Sequence, residues 1–238
     1  MKSLAVLGST GSIGTSTLSV VDAFPERFRV VALAAGRNIE LLRAQIQQYR
    51  PRFVAVAERQ DAEALAEDFP ELTIAWGEEA LIEAACHPDA DMIVAALVGS
   101  VGLVPTMAAI RAGKDVALAN KETLVVAGAL VVREAAEAGV ALLPVDSEHN
   151  AIHQALRVGP DGRVRRLILT ASGGPFRTWP SGDIETATVS DALAHPTWQM
   201  GAKITIDSAT MMNKGLEIIE AHHLLSLIHI SEPTRPVG

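Results

Sequence analysis

The segment Pro144-Val145-Asp146-Ser147-Glu148-His149-Asn150-Ala151-Ile152-His153 sets two carboxylates and two imidazoles within eight residues, directly after the apolar run 140–143. As a plain strand-to-helix turn, it would use Asp146 or Ser147 to cap a helix starting near His149. It also offers metal chemistry. Asp146 and Glu148 stand on the same side of an extended strand end. Carboxylates that close repel unless a cation lies between them, and oxygen ligands alone suit Mg²⁺ or Mn²⁺. His149 and His153, one helical turn apart, offer the rival of a zinc site, or simply pack and support the turn. Two carboxylates rarely suffice for a metal, so a third ligand is expected elsewhere. Glu217 is the candidate, one turn after Asn213 and Lys214 on a helix over 213–220, with Ser208 just before it. That face would supply a carboxylate for a metal and Ser, Asn and Lys donors for a phosphate. Taken alone, the helix is better explained as amphipathic with an ordinary Lys–Glu pair.

A second chemistry sits at the chain start. Gly8-Ser9-Thr10-Gly11-Ser12-Ile13-Gly14 follows an apolar run and opens a helix-period segment. Glycines there allow a tight turn and close approach of backbone N–H groups to a pyrophosphate at a helix N-terminus. The next strand end, Ala34-Ala35-Gly36-Arg37-Asn38, lacks the acid that holds the ribose of NAD. Arg37 could pair with a 2′-phosphate instead, which favours NADPH. Asn120-Lys121-Glu122 ends a further strand, where ligands gather in doubly wound sheets; a solvated polar turn is the plainer alternative.

These residues need a scaffold. Strand-like runs at 4–7, 30–34, 53–57, 92–96, 116–119 and 141–145 alternate with helical spacing at 13–24, 39–49, 61–69, 104–112 and 124–138. The alternation predicts an α/β fold, a Rossmann-like doubly wound parallel sheet. After Asp146 the pattern changes to a helix over 150–156, a turn at 159–162, a strand over 164–170 and a loop over 172–188 rich in Gly, Pro, Ser and Thr. Long loops of that kind are often lids. A boundary near 146 divides a cofactor domain, 1–146, from an incomplete α+β catalytic domain, 147–225.

Composition narrows the function classes. At 238 residues, 49% hydrophobic and 20% charged, the chain is globular. Its net charge of −8 argues against non-specific nucleic-acid binding, though not against a phosphorylated ligand. The single cysteine, Cys86, excludes a disulfide or cysteine-based zinc site within the chain. With no signal-peptide core after Met1, a cytoplasmic setting is expected. The longest apolar stretch, 92–110, is broken by Gly99, Gly102 and Pro105 and reads as strand, loop and helix rather than a membrane span.

The segments GSTGSIG, AAGRN, ALANKE, VDSEHNAI, SGGPF, HPTWQMG and KITIDSATMMNKGLE, in order over residues 1 to about 225, resemble the 1-deoxy-D-xylulose 5-phosphate reductoisomerases of the non-mevalonate isoprenoid pathway. The resemblance implies NADPH at Gly8 to Gly14, Gly36, Arg37, Asn38, Asn120 and Glu122. It implies Mn²⁺ or Mg²⁺ on Asp146, Glu148 and Glu217, with Lys121, Glu148 and His195 as the catalytic groups. A phosphorylated sugar would meet Lys121, Ser147, Glu148, Ser172, His195, Ser208, Asn213, Lys214 and Glu217, under a lid from His195 to Met200 that includes Trp198. The implied reaction rearranges and reduces 1-deoxy-D-xylulose 5-phosphate to 2-C-methyl-D-erythritol 4-phosphate. The resemblance stops after Leu225, and the tail 226–238 reads as a cloning or sequencing artefact joined to a truncated gene. The resemblance implies a homodimer, built in the family on sheet that would lie beyond that point. A non-catalytic NADPH-binding fragment and a homoserine-dehydrogenase-like oxidoreductase are the other readings.

Overall fold

The six expected strand-like runs and one further strand lie side by side as one parallel sheet in this computed structural model, which describes residues 1–158 and 166–225. The strands are β1 (Lys2–Leu7), β2 (Phe28–Ala35), β3 (Phe53–Val56), β4 (Thr73–Trp76), β5 (Met92–Ala95), β6 (Asp115–Leu118) and β7 (Leu142–Pro144). Their spatial order is β4-β3-β2-β1-β5-β6-β7, and every pairing is parallel. The crossovers are α1 (Ser12–Ala23), α2 (Ile39–Tyr49), α3 (Arg59–Asp68), α4 (Gly77–Ala85), α5 (Leu103–Arg111) and α6 (Lys121–Ala138).

Alternation along the central strands sends side chains to both faces. On β1, Leu4 and Val6 enter one apolar cluster while Ala5 and Leu7 enter the other. On β2, Val31 and Ala32 are consecutive yet share a cluster, and the β1–β2 register shifts there, between Leu4 and Ala5. Fully buried Leu7, Leu33 and Ile93 each contribute about 1.5–3 kcal/mol of burial. A sheet buried on both faces explains the near-continuous apolar runs. Strand order reverses between β1 and β5, so the carboxyl ends of β1, β5, β6 and β7 open on one crevice.

Two elements among residues 1–146 were not expected. β4 is an edge strand of four residues, only partly covered, and α4 begins at Gly77 without a side-chain cap. Both signals are weak in sequence because β4 is only four residues long and the helix start lacks a capping residue. After α7 (Ser147–Val158), the described residues are helical or irregular: a 3₁₀ turn over Pro175–Thr178, then α8 (Ser181–Ile184), α9 (Val189–Leu193), α10 (Ala202–Ala209) and α11 (Met212–Leu224). The expected strand 164–170 is corrected for its described part. Residues 166–170 are not in a strand, since no described strand lies beside them to complete a hydrogen-bond ladder. The expected loop 172–188 carries two short helical turns, and α10 was not foreseen. The turn 159–162 and the tail 226–238 fall outside the described residues.

Candidate active site

The glycine turn is built at the carboxyl end of β1. Gly8 adopts φ +89°, and the Gly8 and Ser9 amides donate to Ala34 O at 2.8 and 2.9 Å. Gly11 is the N-cap of α1 and offers no side-chain cap, which leaves first-turn N–H groups free for an anion. A Cβ on Gly14 would lie 2.2 Å from Gly8 O, so only glycine lets α1 start this close to the turn. Thr10 is half-buried, Ser12 and Ile13 are exposed, and Ser9 is buried with its carbonyl held by Gln45 Nε2 at 2.9 Å. Gly36, Arg37 and Asn38 are exposed at the end of β2. Asn38 caps α2 through Leu41 N at 3.1 Å, and among the described residues Arg37 makes no ion pair. Asn120 and Glu122 both have partners within the chain. Asn120 caps α6 and donates to Leu97 O and Gly99 O at 2.7 and 2.9 Å, while Glu122 pairs with Lys203 at 2.9 Å. Their side chains brace the loop after β5 and tie α10 to α6.

Three carboxylates converge where β7 ends. Asp146 precedes α7, Glu148 lies in its first turn, and Glu217 comes from the second turn of α11. One ligand oxygen from each lies within 4.8 Å of the others, and Glu217 is almost wholly buried. An all-oxygen donor set of this size fits a hard divalent cation. Two ammoniums face it. Lys214 Nζ lies 3.3 Å from Glu148 Oε1 and also bonds Glu217 and Thr170 O. Lys121 Nζ pairs with Asp146, lies 3.5 Å from Glu217 and donates to Asn213 Oδ1 at 2.8 Å. Three carboxylates against two ammoniums leave a formal negative charge for a further cation. Burial works against the Lys121 ammonium, but Asp146, Glu217 and Glu220 outweigh it and hold its pKa above the ordinary lysine value. Burial also opposes ionisation of Glu148, yet the Ser147 hydroxyl and Lys214 hold its carboxyl below the usual range.

The carboxylates floor a cavity of about 600 Å³ whose walls include Ser172, Ser208, Asn213 and Lys214, with Trp198 and Met200 on the side of the expected lid. Gly174 brings the first wall in: at φ +68°, its missing Cβ would sit 2.6 Å from Ser208 O. Ser172 Oγ thereby lies 3.5 Å from Ser208 Oγ and 3.1 Å from His195 Nε2. His195 Nδ1 accepts from the amides of Thr197 and Trp198 at 3.2 and 3.0 Å, which leaves the proton on Nε2, facing Ser172. Lys121 is buried, its ammonium held by Asp146, Glu217 and Asn213.

The rival zinc pair does not form. His153 joins neither group of metal-capable side chains found among the described residues. His149 is fully buried and turns to α11. Glu220 was missed. Burial, with Asp146, Glu217 and Glu122, pushes its carboxyl up to about 8, against the pull of Lys121. The available signal was the spacing of Glu217, Glu220 and Ala221, a buried stripe at i, i+3 and i+4.

With this geometry in place, comparison with known proteins gives consistent matches. A family model described as 1-deoxy-D-xylulose 5-phosphate reductoisomerase matches residues 4–128, and one for the C-terminal domain of that enzyme matches 142–225. The enzyme of that name from Acaryochloris marina is 54% identical over 231 residues, 95% of this chain and 58% of its own length. That of Geotalea uraniireducens is 56% identical over 229 residues, 95% of this chain and 59% of its own. Among solved structures, a DOX-P reductoisomerase in complex with NADPH, fosmidomycin and magnesium matches with a TM-score of 0.89 at 43% identity. The Zymomonas mobilis enzyme in complex with NADPH matches with a TM-score of 0.85 at 46% identity. Each match covers 95% of this chain and 59% of the solved one. The chain thus spans about three fifths of the length of these relatives.

Proposed function

This chain belongs to the 1-deoxy-D-xylulose 5-phosphate reductoisomerase family, and we propose that it performs the family's reaction on 1-deoxy-D-xylulose 5-phosphate with NADPH and Mg²⁺ or Mn²⁺. The observation that carries the proposal is the convergence of Asp146, Glu148 and Glu217 on the floor of a cavity walled by phosphate donors.

In this reading residues 1–146 hold NADPH. The N-terminus of α1 and the turn from Gly8 to Gly14 receive the pyrophosphate, and Arg37 meets the 2′-phosphate. Residues 147–225 complete the metal and substrate site. Asp146, Glu148 and Glu217 would ligate the divalent ion, which supplies a Lewis acid for the substrate's carbonyl and hydroxyl oxygens. NADPH, held by residues 1–146, would supply the hydride for the reduction.

The chain's own groups do the rest. Lys214, Asn213, Ser172 and Ser208 receive the phosphate, one charge and three neutral donors. His195, its proton fixed on Nε2, donates toward the same pocket through Ser172. Glu148, held ionised, accepts a proton from a substrate hydroxyl. Lys121 keeps the buried carboxylates paired from behind. The segment from His195 to Met200, with Trp198 61% exposed, is placed to fold over the cavity and exclude water.

The decisive experiment measures NADPH oxidation with 1-deoxy-D-xylulose 5-phosphate, with and without Mn²⁺, beside direct NADPH binding. Metal-dependent turnover supports the proposal. NADPH binding without turnover favours the reading of a non-catalytic NADPH-binding protein. Loss of both overturns the site assignment.

A further inference from the structure

Two fully buried side chains stand behind the three carboxylates with no part yet in the proposed chemistry: His149 and Glu220, each 0% exposed. His149 follows Glu148 on α7. Glu220 lies one turn beyond Glu217 on α11. His149 Nε2 is 2.8 Å from the backbone carbonyl oxygen of Glu217. A carbonyl only accepts, so Nε2 carries a proton and donates it. Nδ1 then faces Glu220 Oε2 at 3.5 Å. Neither Nδ1 nor either Glu220 oxygen has a hydrogen-bond partner of its own. The ring and the carboxyl are thus left to each other as polar neighbours.

We propose that His149 and Glu220 are positioning residues that clip α7 to α11 and set the spacing of Glu148 and Glu217, and with it the divalent-cation affinity of the site. The inference rests on the metal-binding reading above. Its physical basis is a two-sided hold. The ring grips the main chain of one ligand residue and is itself one peptide unit from another, while Glu220 fixes the ring's orientation. Groups behind metal ligands that fix orientation in this way typically govern affinity by 10–100-fold. A carboxyl buried beside Asp146 and Glu217 also costs stability that a leucine there would not, so the pair is poorly explained as packing. Asp146, His149 and Glu220 do approach one another within 4.8 Å, close enough for a second ion. The Lys121 ammonium paired with Asp146 opposes a second cation there.

Mn²⁺ titration of the full chain, read by electron paramagnetic resonance or calorimetry, tests the clip, with NADPH affinity as the control for folding. The wild type should bind one ion. Glu220→Leu and His149→Leu should each weaken Mn²⁺ at least tenfold, with NADPH affinity unchanged. The double variant should lose no more than the worse single one, because both break one unit. Glu220→Gln keeps an N–H donor for Nδ1 and should stay within about threefold of wild type. If the leucine variant also loses NADPH binding, Glu220→Met carries the same expectation, since its unbranched chain adapts to the space. Unchanged Mn²⁺ affinity in the folded variants, additive losses, or two ions per wild-type chain would each overturn the clip. A wild type that binds no Mn²⁺ overturns the metal reading itself, and the clip with it.

Discussion

Lys121, the first residue of α6, donates to the side-chain oxygen of Asn213 on α11 across 2.8 Å and 92 residues of sequence. The bond joins the parallel sheet's last crossover to the helix that carries Glu217. It makes Lys121 an electrostatic keystone of the carboxylate cluster. Lys121→Met should therefore leave Asp146 and Glu217 buried without their partner, and destabilise by about 3–5 kcal/mol. Urea unfolding with and without Mn²⁺ checks this. The variant should gain more stability from the ion than the wild type does, because the ion replaces the missing charge.

Glu217→Gln keeps the shape of the site and removes one charged ligand. Mn²⁺ binding and metal-dependent turnover should be lost, while NADPH affinity stays nearly intact, since the glycine turn lies on another element. Equal loss of both would refute the ligand assignment.

Gly14→Ala should act in the opposite way. Its Cβ would press on Gly8 O at 2.2 Å and on Ser9 backbone atoms at 2.6 Å, where no flexible side chain can yield. NADPH affinity, measured by fluorescence, should fall at least tenfold with Mn²⁺ affinity preserved.

Arg37 is exposed beside the cofactor turn and has no carboxylate partner among the described residues. Arg37→Met should weaken NADPH by about 1.5–3 kcal/mol, the worth of a charge-assisted contact, and leave NADH unaffected. Parallel titrations with the two nucleotides decide it. An equal drop for both would remove Arg37 from 2′-phosphate recognition.

Tyr49 is the chain's single tyrosine, so its ionisation can be followed cleanly by absorbance. Burial raises its pKa to about 12, helped by its hydrogen bond to Asp22 Oδ2 at 2.9 Å and by that carboxylate's charge. A pKa raised on folding gives stability that is complete below the unfolded value near 10 and is lost as pH climbs through about 12. Asp22→Asn should lower the midpoint toward the ordinary tyrosine value. A midpoint that does not move would mean burial alone sets it.

The sequence by itself determined the sheet's buried strands, the glycine turn and the identity of the three converging carboxylates. Those are local or periodic signals. Apolar runs on 4–7 and 92–96 have to be buried on both faces, and Gly8 to Gly14 needs no distant partner to read as a turn before a helix. The resemblance of VDSEHNAI and MMNKGLE to one family supplied the pairing of Glu148 with Glu217 that spacing could only suggest. Tertiary structure decided the rest. It showed that Asn120 braces Leu97 and Gly99, that Lys121 joins Asp146 and Glu217 to Asn213, and that residues 166–170 have no described strand beside them. It also turned His149 from a candidate ligand into a partner of Glu220. Each of these depends on which side chains meet across dozens of residues, and no window of sequence contains both partners. Edge strand β4 escaped for a different reason: four residues are too few for an alternation to stand out.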